Sequence, residues 1–351
     1  MTKRNLFYFI QFCILAFGVS FPFWQTTEVF NMYHPLWVLI PAVLFAFLFA
    51  LSFGTVFDLN IRLLRPLKKV LYYWLGGGFI LFFTILTMLF LNIFVLAPDE
   101  WLFGSALALS SVFIAYSYYQ GKRIYLKALS FSSSKLTREY NFIQLSDLHI
   151  GSNDVIEIKR VLEKIKKIKY DFVVITGDLV DEDYASVKAL RLFDSIEKPI
   201  YYITGNHEYY LRHKHFTDFI SQTNIIDLND KKVRHEELEI FGIDEKSDVA
   251  KILDALMVSD NYNIMLMHEP RTTEIQKAKS RKINLILSGH THNGQIFPLT
   301  LMIKLRYFFL KGLYSVSETF VHVSQGTGTW GPKMRLGTRN EITLVKLTPT
   351  K

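Results

Sequence analysis

The chain has 351 residues, half of them hydrophobic and 15% aromatic, with 30 Phe and a formal charge of +8. That length admits one large domain or two smaller ones, and the apolar content is high for a soluble enzyme. A single cysteine, Cys13, excludes a disulfide within the chain, and the basic residues form no aromatic-interleaved stripe of the kind that binds nucleic acid.

The apolar excess lies before about residue 120, in four runs over 6–23, 36–57, 71–96 and 101–119. A helix crosses a bilayer core with about 20 mainly apolar residues, so each run is expected to be a transmembrane helix. A helical core domain would need polar faces at helical spacing, which these runs lack. The first run, after Lys3 and Arg4, could begin a secretory signal, but no small-residue cleavage site follows and three more runs come after it. Basic residues flank alternate connections: Lys3 and Arg4, then Arg62, Arg65, Lys68 and Lys69, then Lys122, Arg123 and Lys127. The connections around Glu28 and Asp99 have no Lys or Arg. This bias puts both termini and everything after the fourth run on the cytoplasmic side of a cell membrane, in a multi-pass chain. Trp24, Trp37, Trp74 and Trp101 sit where interfacial anchors would, and the net positive charge suits anionic lipid.

Residues 1–123 are therefore read as a membrane domain, 124–139 as a Ser- and Lys-rich linker, and 140–351 as a separate domain. In that domain, strands are expected at 140–145, 172–176, 200–204, 239–243, 263–267, 284–288, 319–324 and 342–347. Helices are expected at 155–168, 184–196 and 212–222; the first puts Val155, Ile158, Leu162, Ile165 and Ile168 on one face. Alternating strands and helices imply an α/β domain, and the helix-poor second half implies a partly antiparallel second sheet.

Five polar stretches end apolar strands: Ser146-Asp147-Leu148-His149, Gly177-Asp178, Gly205-Asn206-His207-Glu208, Met267-His268-Glu269 and Gly289-His290-Thr291-His292. Sites in open α/β sheets form at the carboxyl ends of strands. Asp147 and His149, two apart in an extended segment, would point the same way, as would His290 and His292. Asp178 follows a Gly that allows a sharp turn and could bridge two cations. Asn206 offers a neutral oxygen ligand. His207, with Glu208 to orient or charge-tune it, could donate a proton to a leaving oxygen. Taken singly, Asp-x-His, Gly-Asp and a lone His are ordinary loop or core features; together they hold five of the ten histidines. Oxygen and imidazole donors without thiolate suit Mn, Fe or Zn better than Mg or Ca.

The order of these stretches resembles the calcineurin-like metallophosphoesterase family over about residues 140–347. The resemblance implies a four-layer αββα sandwich, here preceded by a bundle of four transmembrane helices, and a binuclear centre of two divalent metal ions per subunit. It implies Asp147, His149 and His292 on the first metal, Asp178 as bridge, and Asn206, His268 and His290 on the second, with His207 as the catalytic histidine. Where the family often has Gly-Gly-Gln, this chain has Asn293-Gly294-Gln295, and Asn tolerates the left-handed backbone such a turn uses. The late stretch from Gly326 to Arg335, then Glu341-Ile342, resembles a membrane-associated branch that includes lipid-related phosphodiesterases.

The expected activity is metal-dependent hydrolysis of a phosphomonoester, phosphodiester or pyrophosphate by activated water. The segment 297–313, apolar with Lys304, Arg306 and Lys311 interspersed, reads either as core or as a lip lying on membrane lipid. Phe308, Phe309 and Arg335 are its candidate substrate contacts, for an amphiphilic, lipid-linked phosphoester. A non-catalytic membrane protein that binds a phosphorylated ligand or scaffolds partners is the alternative; a degenerate relative of that kind should lack a donor, and none is missing. A transporter would carry ionisable residues inside its spans, and these runs carry essentially none. His34, His213, His215, His235 and His322 are read as surface or structural.

Overall fold

A computed structural model describes residues 65–181, 189–211 and 220–350. The first two apolar runs, Cys13, His34, His213, His215, the first part of the helix expected at 184–196 and most of that at 212–222 lie outside the described residues. The chain divides into two compact units, Met1–Tyr119 and Gln120–Lys351.

The third and fourth runs form α1, Arg65–Val95, and α2, Asp99–Gly121. Pro66 falls in the first turn of α1, where its missing N–H costs nothing, and Asp99 and Glu100 face the positive end of α2. Apolar windows within Lys69–Val95 and Asp99–Gly121 are long enough to cross a bilayer. Three of their hydroxyls bond back along the helix, Thr84 and Thr87 to the carbonyls of Ile80 and Phe83 at 2.7 Å and Ser111 to that of Leu107 at 2.8 Å.

Residues 124–139 are not simply a linker. Most of the segment is a ten-residue strand, β1, Ile124–Ser133, paired in parallel with the last strand of the fold. Composition misled here because β1 is an edge strand with Ser130 and Ser132 on exposed positions. The remaining strands are β2 (Tyr140–Leu145), β3 (Phe172–Thr176), β4 (Ile200–Ile203), β5 (Ile225–Asp227), β6 (Lys231–His235), β7 (Leu238–Gly242), β8 (Tyr262–Leu266), β9 (Leu285–Ser288), β10 (Gly312–Val316), β11 (Thr319–Val323) and β12 (Asn340–Pro349). Among the described residues they form two six-stranded sheets, ordered β1-β12-β2-β3-β4-β5 and β10-β11-β9-β8-β7-β6.

Both sheets are mixed. In the first, only β12–β2 is antiparallel; in the second, only the edge pairs β10–β11 and β6–β7 are. The second sheet is therefore partly antiparallel, as expected, and α4 (Val249–Leu256) and α5 (Thr272–Lys279) cross between its parallel central strands.

Alternate residues of each central strand enter different cores, so these strands are buried on both faces. Phe142, Phe172 and Val174 meet Ile240, Ile264 and Leu287 between the sheets. Ile143, Val173 and Ile175 pack outward under α3 (Val155–Ile165), on Ile158, Val161, Leu162 and Ile165. Met265, Ile286 and Val321 pack outward under α4 and α5. Three apolar layers separate four layers of structure, αββα. Asp154 and Glu157 close a capping box at the start of α3, and Lys333 bonds both carboxylates at 3.1 and 2.8 Å. The Phe142 and Phe172 rings stack at 4.6 Å in the central layer. Phe142→Ala is expected to destabilise the domain by about 3–5 kcal/mol, read as a lowered denaturation midpoint.

Candidate metal centre

All five polar stretches follow the carboxyl ends of parallel strands, β2, β3 and β4 from one sheet and β8 and β9 from the other. The edges of both sheets thus supply one site. The loops are tightly constrained. Asp147, His149, Asp178, His290 and His292 all have positive φ, between 45° and 70°, a conformation that strains non-Gly residues and recurs at functional sites. This corrects the extended geometry expected for Asp147–His149 and for His290–His292. The rings of His290 and His292 go to different clusters, which an extended His-x-His could not arrange. Asn293 is left-handed, φ 51°, as its residue type allows. Gly177, φ 86°, has no room for a Cβ, which would strike the His268 ring.

Two clusters form. In the first, His149 Nε2 and His292 Nε2 are 2.9 Å apart, and Asp147 Oδ1 lies 3.4 Å from His292 Nε2 and 4.0 Å from His149 Nε2. In the second, Asn206 Oδ1 lies 2.8 Å from His290 Nδ1 and 3.2 Å from His268 Nε2. Asp178 Oδ2 stands between them, 3.1 Å from His268 Nε2 and 3.8 Å from His149 Nε2. Each cluster is a group of Asp and His donors able to hold an ion. Bonds of about 2.0–2.1 Å from imidazole to one cation, at right angles, would put two nitrogens about 2.9 Å apart. That is the His149–His292 spacing, and a set of carboxylate, carboxamide and imidazole donors without thiolate fits a divalent metal.

The outer partners set the ring hydrogens. His268 Nδ1 donates to the carbonyl of Thr176 at 2.8 Å, leaving Nε2 its lone pair. Asp181, which the sequence reading missed, accepts from His149 Nδ1 at 2.7 Å and from His207 Nδ1 at 2.8 Å. The signal for it was the Asp178-x-x-Asp181 spacing in the turn after β3. Burial pushes the Asp181 carboxyl up, but His149 and His207 hold it far below the usual carboxylate range. Burial pushes His207 down, yet Asp178 and Asp181 outweigh it and raise the imidazole to about 9. The His207 N–H donates to Asp178 Oδ1 at 2.9 Å, and His207 Nε2 lies 3.9 Å from Asp178 Oδ2, facing the centre.

Glu208 adds only a smaller share to the His207 charge. Its main contacts are elsewhere. It accepts from the backbone N–H of Asp178, Val180 and Gly205 at 3.1, 2.9 and 2.7 Å, clamping the loops after β3 and β4 together. Tyr210 and Trp330 flank the His207 ring, at 5.3 and 5.9 Å between centroids, and both are partly exposed.

The segment after the paired histidines divides between both expected readings. α6, Leu299–Arg306, buries none of its residues, and Leu305 and Phe308 are 90% and 75% exposed. Phe309, however, is a core residue beneath the second sheet, so it is not a lip contact. Neither is Arg335. It is fully buried and donates to the carbonyls of His292, Gln325 and Gly328 and to the Asn340 side chain, bracing the loop behind His292. Burial lowers it to about 10. His322 is buried, with Gln144 and Lys127 as partners, and His235 stacks near Phe172.

An α/β fold of two mixed sheets with Asp and His clusters at shared strand ends defines a metal-binding hydrolase class. The calcineurin-like phosphoesterase family profile matches residues 140–294. A metallophosphoesterase of Helicobacter pylori (strain ATCC 700392 / 26695) is 32% identical over 248 residues, 66% of each chain. A metallophosphoesterase of Aquifex aeolicus is 30% identical over 66% of this chain and 95% of its own. A Danio rerio transmembrane protein with metallophosphoesterase domain is 33% identical over 58% of this chain and 52% of its own. The chain thus spans just under two thirds of the Helicobacter relative and about half of the zebrafish one. It belongs to the calcineurin-like phosphoesterases, a family of metal-dependent phosphoric ester hydrolases.

Proposed function

We propose that the chain is a membrane-anchored, binuclear metal-dependent phosphoesterase acting on a phosphoester close to the bilayer surface. The observation that carries it is the Asp178 carboxylate standing between two complete donor clusters. Asp147, His149 and His292 would hold one cation, Asn206, His268 and His290 the other, and Asp178 both. Two divalent cations so placed supply the charge that activates water and neutralises phosphoryl oxygens. The chain's own residues do the rest. Asp181 fixes the rings of His149 and His207 through their Nδ1 hydrogens. His207 presents a protonated Nε2 to the centre and gives that proton to the leaving oxygen. Tyr210 and Trp330 wall the mouth on either side of His207.

The anchor is α1 and α2, with the two earlier apolar runs making four spans. The basic flanks put the phosphoesterase domain and both termini in the cytoplasm. β1 begins at Ile124, directly after Gly121, Lys122 and Arg123, so the tether is short. α6 exposes Leu301, Met302 and Leu305 beside Phe308, with Lys304, Arg306 and Lys311 among them. An apolar face with interspersed cations fits an anionic leaflet, and from there an amphiphilic phosphoester would reach the centre.

The test is turnover of bis(p-nitrophenyl) phosphate and p-nitrophenyl phosphate by the full chain in detergent, stripped by chelator and then supplied with Mn²⁺. Turnover that appears only with metal supports the hydrolase; none with either ester would sink it. For the lip, the pair Leu305→Asp and Phe308→Asp is expected to leave the soluble esters unaffected while slowing a vesicle-embedded lipid phosphoester. Equal rates on the embedded substrate would remove the lip from the proposal. Both positions are exposed, so the pair should fold normally.

A further inference from the structure

Three side chains from three separate segments meet behind the second cluster: Glu269 after β8, His290 after β9 and Tyr307 after α6. The Tyr307 hydroxyl donates to Glu269 Oε1 at 2.6 Å, and His290 Nε2 lies 3.0 Å from the same hydroxyl. A phenol has one hydrogen to give, and a carboxylate can only accept. With that hydrogen committed to Glu269, the Tyr307 oxygen is left to accept, so His290 Nε2 must carry the ring hydrogen. The lone pair then falls on His290 Nδ1. That is the atom facing the cluster, 2.8 Å from Asn206 Oδ1 and 3.2 Å from His268 Nε2.

Two of the other rings need no such device. His149 and His268 give their outer hydrogens to a carboxylate and to a backbone carbonyl, which accept and never donate. A hydroxyl can do either. Without Glu269, Tyr307 could donate to His290 Nε2 and stabilise the tautomer that cannot bind metal through Nδ1.

We propose that Tyr307 is a positioning residue, its hydroxyl polarised by Glu269, that holds His290 in the tautomer able to ligate the second cation. The proposal rests on the two-cation reading of the site. Tyr307 comes one residue after the exposed helix α6, whose last residue, Arg306, also approaches Glu269, at 4.0 Å. The exposed helix α6 is thereby joined to a proposed metal ligand. Nothing in the segment matched by the family profile includes this tyrosine, since that match ends at residue 294.

Tyr307→Phe separates this role from packing. The ring is buried and meets His290 edge-on at 5.6 Å, and Phe keeps that contact while removing the hydroxyl. The full chain in detergent, stripped of metal, is titrated calorimetrically with Mn²⁺. Wild type should bind two equivalents. In Tyr307→Phe, one equivalent should keep its affinity and the other should weaken about 10–100-fold, the usual effect of losing such an outer partner. On a His292→Ala background, which cripples the first cluster, the whole weakening should remain visible. Glu269→Gln, whose amide oxygen still accepts, should bind like wild type, and Glu269→Ala should reproduce the loss. Superimposable titrations for Tyr307→Phe and wild type would overturn the proposal, as would equal weakening of both equivalents. If Tyr307→Phe fails to fold, the Glu269 pair decides in the same way. A wild-type chain that binds no Mn²⁺ overturns this proposal together with the two-cation reading, whereas two tight equivalents in every variant overturn this one alone.

Discussion

Asp178→Asn is expected to remove both cations and all metal-dependent turnover, a larger loss than any other single ligand would give. The change is nearly isosteric. The Asn carbonyl can still accept the His207 N–H that Asp178 Oδ1 takes at 2.9 Å, so the turn after β3 should hold. What disappears is the negative charge of Oδ2, which lies within 3.1–3.8 Å of a ring nitrogen from each cluster. His292→Ala, by contrast, removes a donor from the first cluster only. Thermal or chemical unfolding reads the difference without any substrate. A cation at a hundred times its dissociation constant stabilises a folded chain by about 2.7 kcal/mol per site. Wild type should show this for two sites, His292→Ala for one and Asp178→Asn for none. Metal-dependent stabilisation surviving in Asp178→Asn would show that the carboxylate does not join the clusters.

The proposed ligands were legible in the sequence because each is chemically distinctive and follows a buried, unmistakably apolar strand. What the sequence hid was the backbone that aims them. A strand end at Leu145 or Ser288 suggests continued extension, and only the neighbouring loops show why the chain instead turns left-handed. The His290 N–H reaches back to both oxygens of Asp147 at 3.0 and 3.2 Å, and the Asp147 N–H bonds the carbonyl of Gly177. These are contacts between residues far apart in sequence, and no local pattern encodes them.

The same reason explains the misses. Asp181 is one acidic residue in an acidic stretch until the fold puts two imidazoles on its Oδ1. Arg335 resembles an available cation until four acceptors enclose it. Phe308 and Phe309 are adjacent and identical in type, yet one is exposed and the other fills the core, because the chain bends between α6 and β10. β1 was hidden by its composition, since an edge strand can carry Ser outward and still pair along ten residues with β12.

His207→Ala is expected to lower kcat by about 10²–10⁴, the range of positioned acid–base catalysis, while both cations remain bound. Its ring meets that of His149 edge-on at 4.7 Å but is not among the donors assigned to the two cations, so that set is complete without it. Its Nδ1 hydrogen goes to Asp181 and its charge is sustained by Asp178 and Asp181, which raise it to about 9 in the absence of cations. In its charged form the ring would have a proton to deliver from Nε2. The size of the loss should follow the leaving group. p-Nitrophenolate departs readily without protonation, so the variant should lose least on p-nitrophenyl esters and most on alkyl esters, whose alkoxides need the proton. Asp181→Asn should shift rates in the same order, because it removes one of the two carboxylates that sustain the His207 charge and the acceptor of its Nδ1 hydrogen. A His207→Ala variant that slows every ester by the same factor would assign His207 to charge stabilisation of the phosphoryl group instead of proton transfer. One with unchanged metal content and unchanged rates would remove it from the reaction altogether.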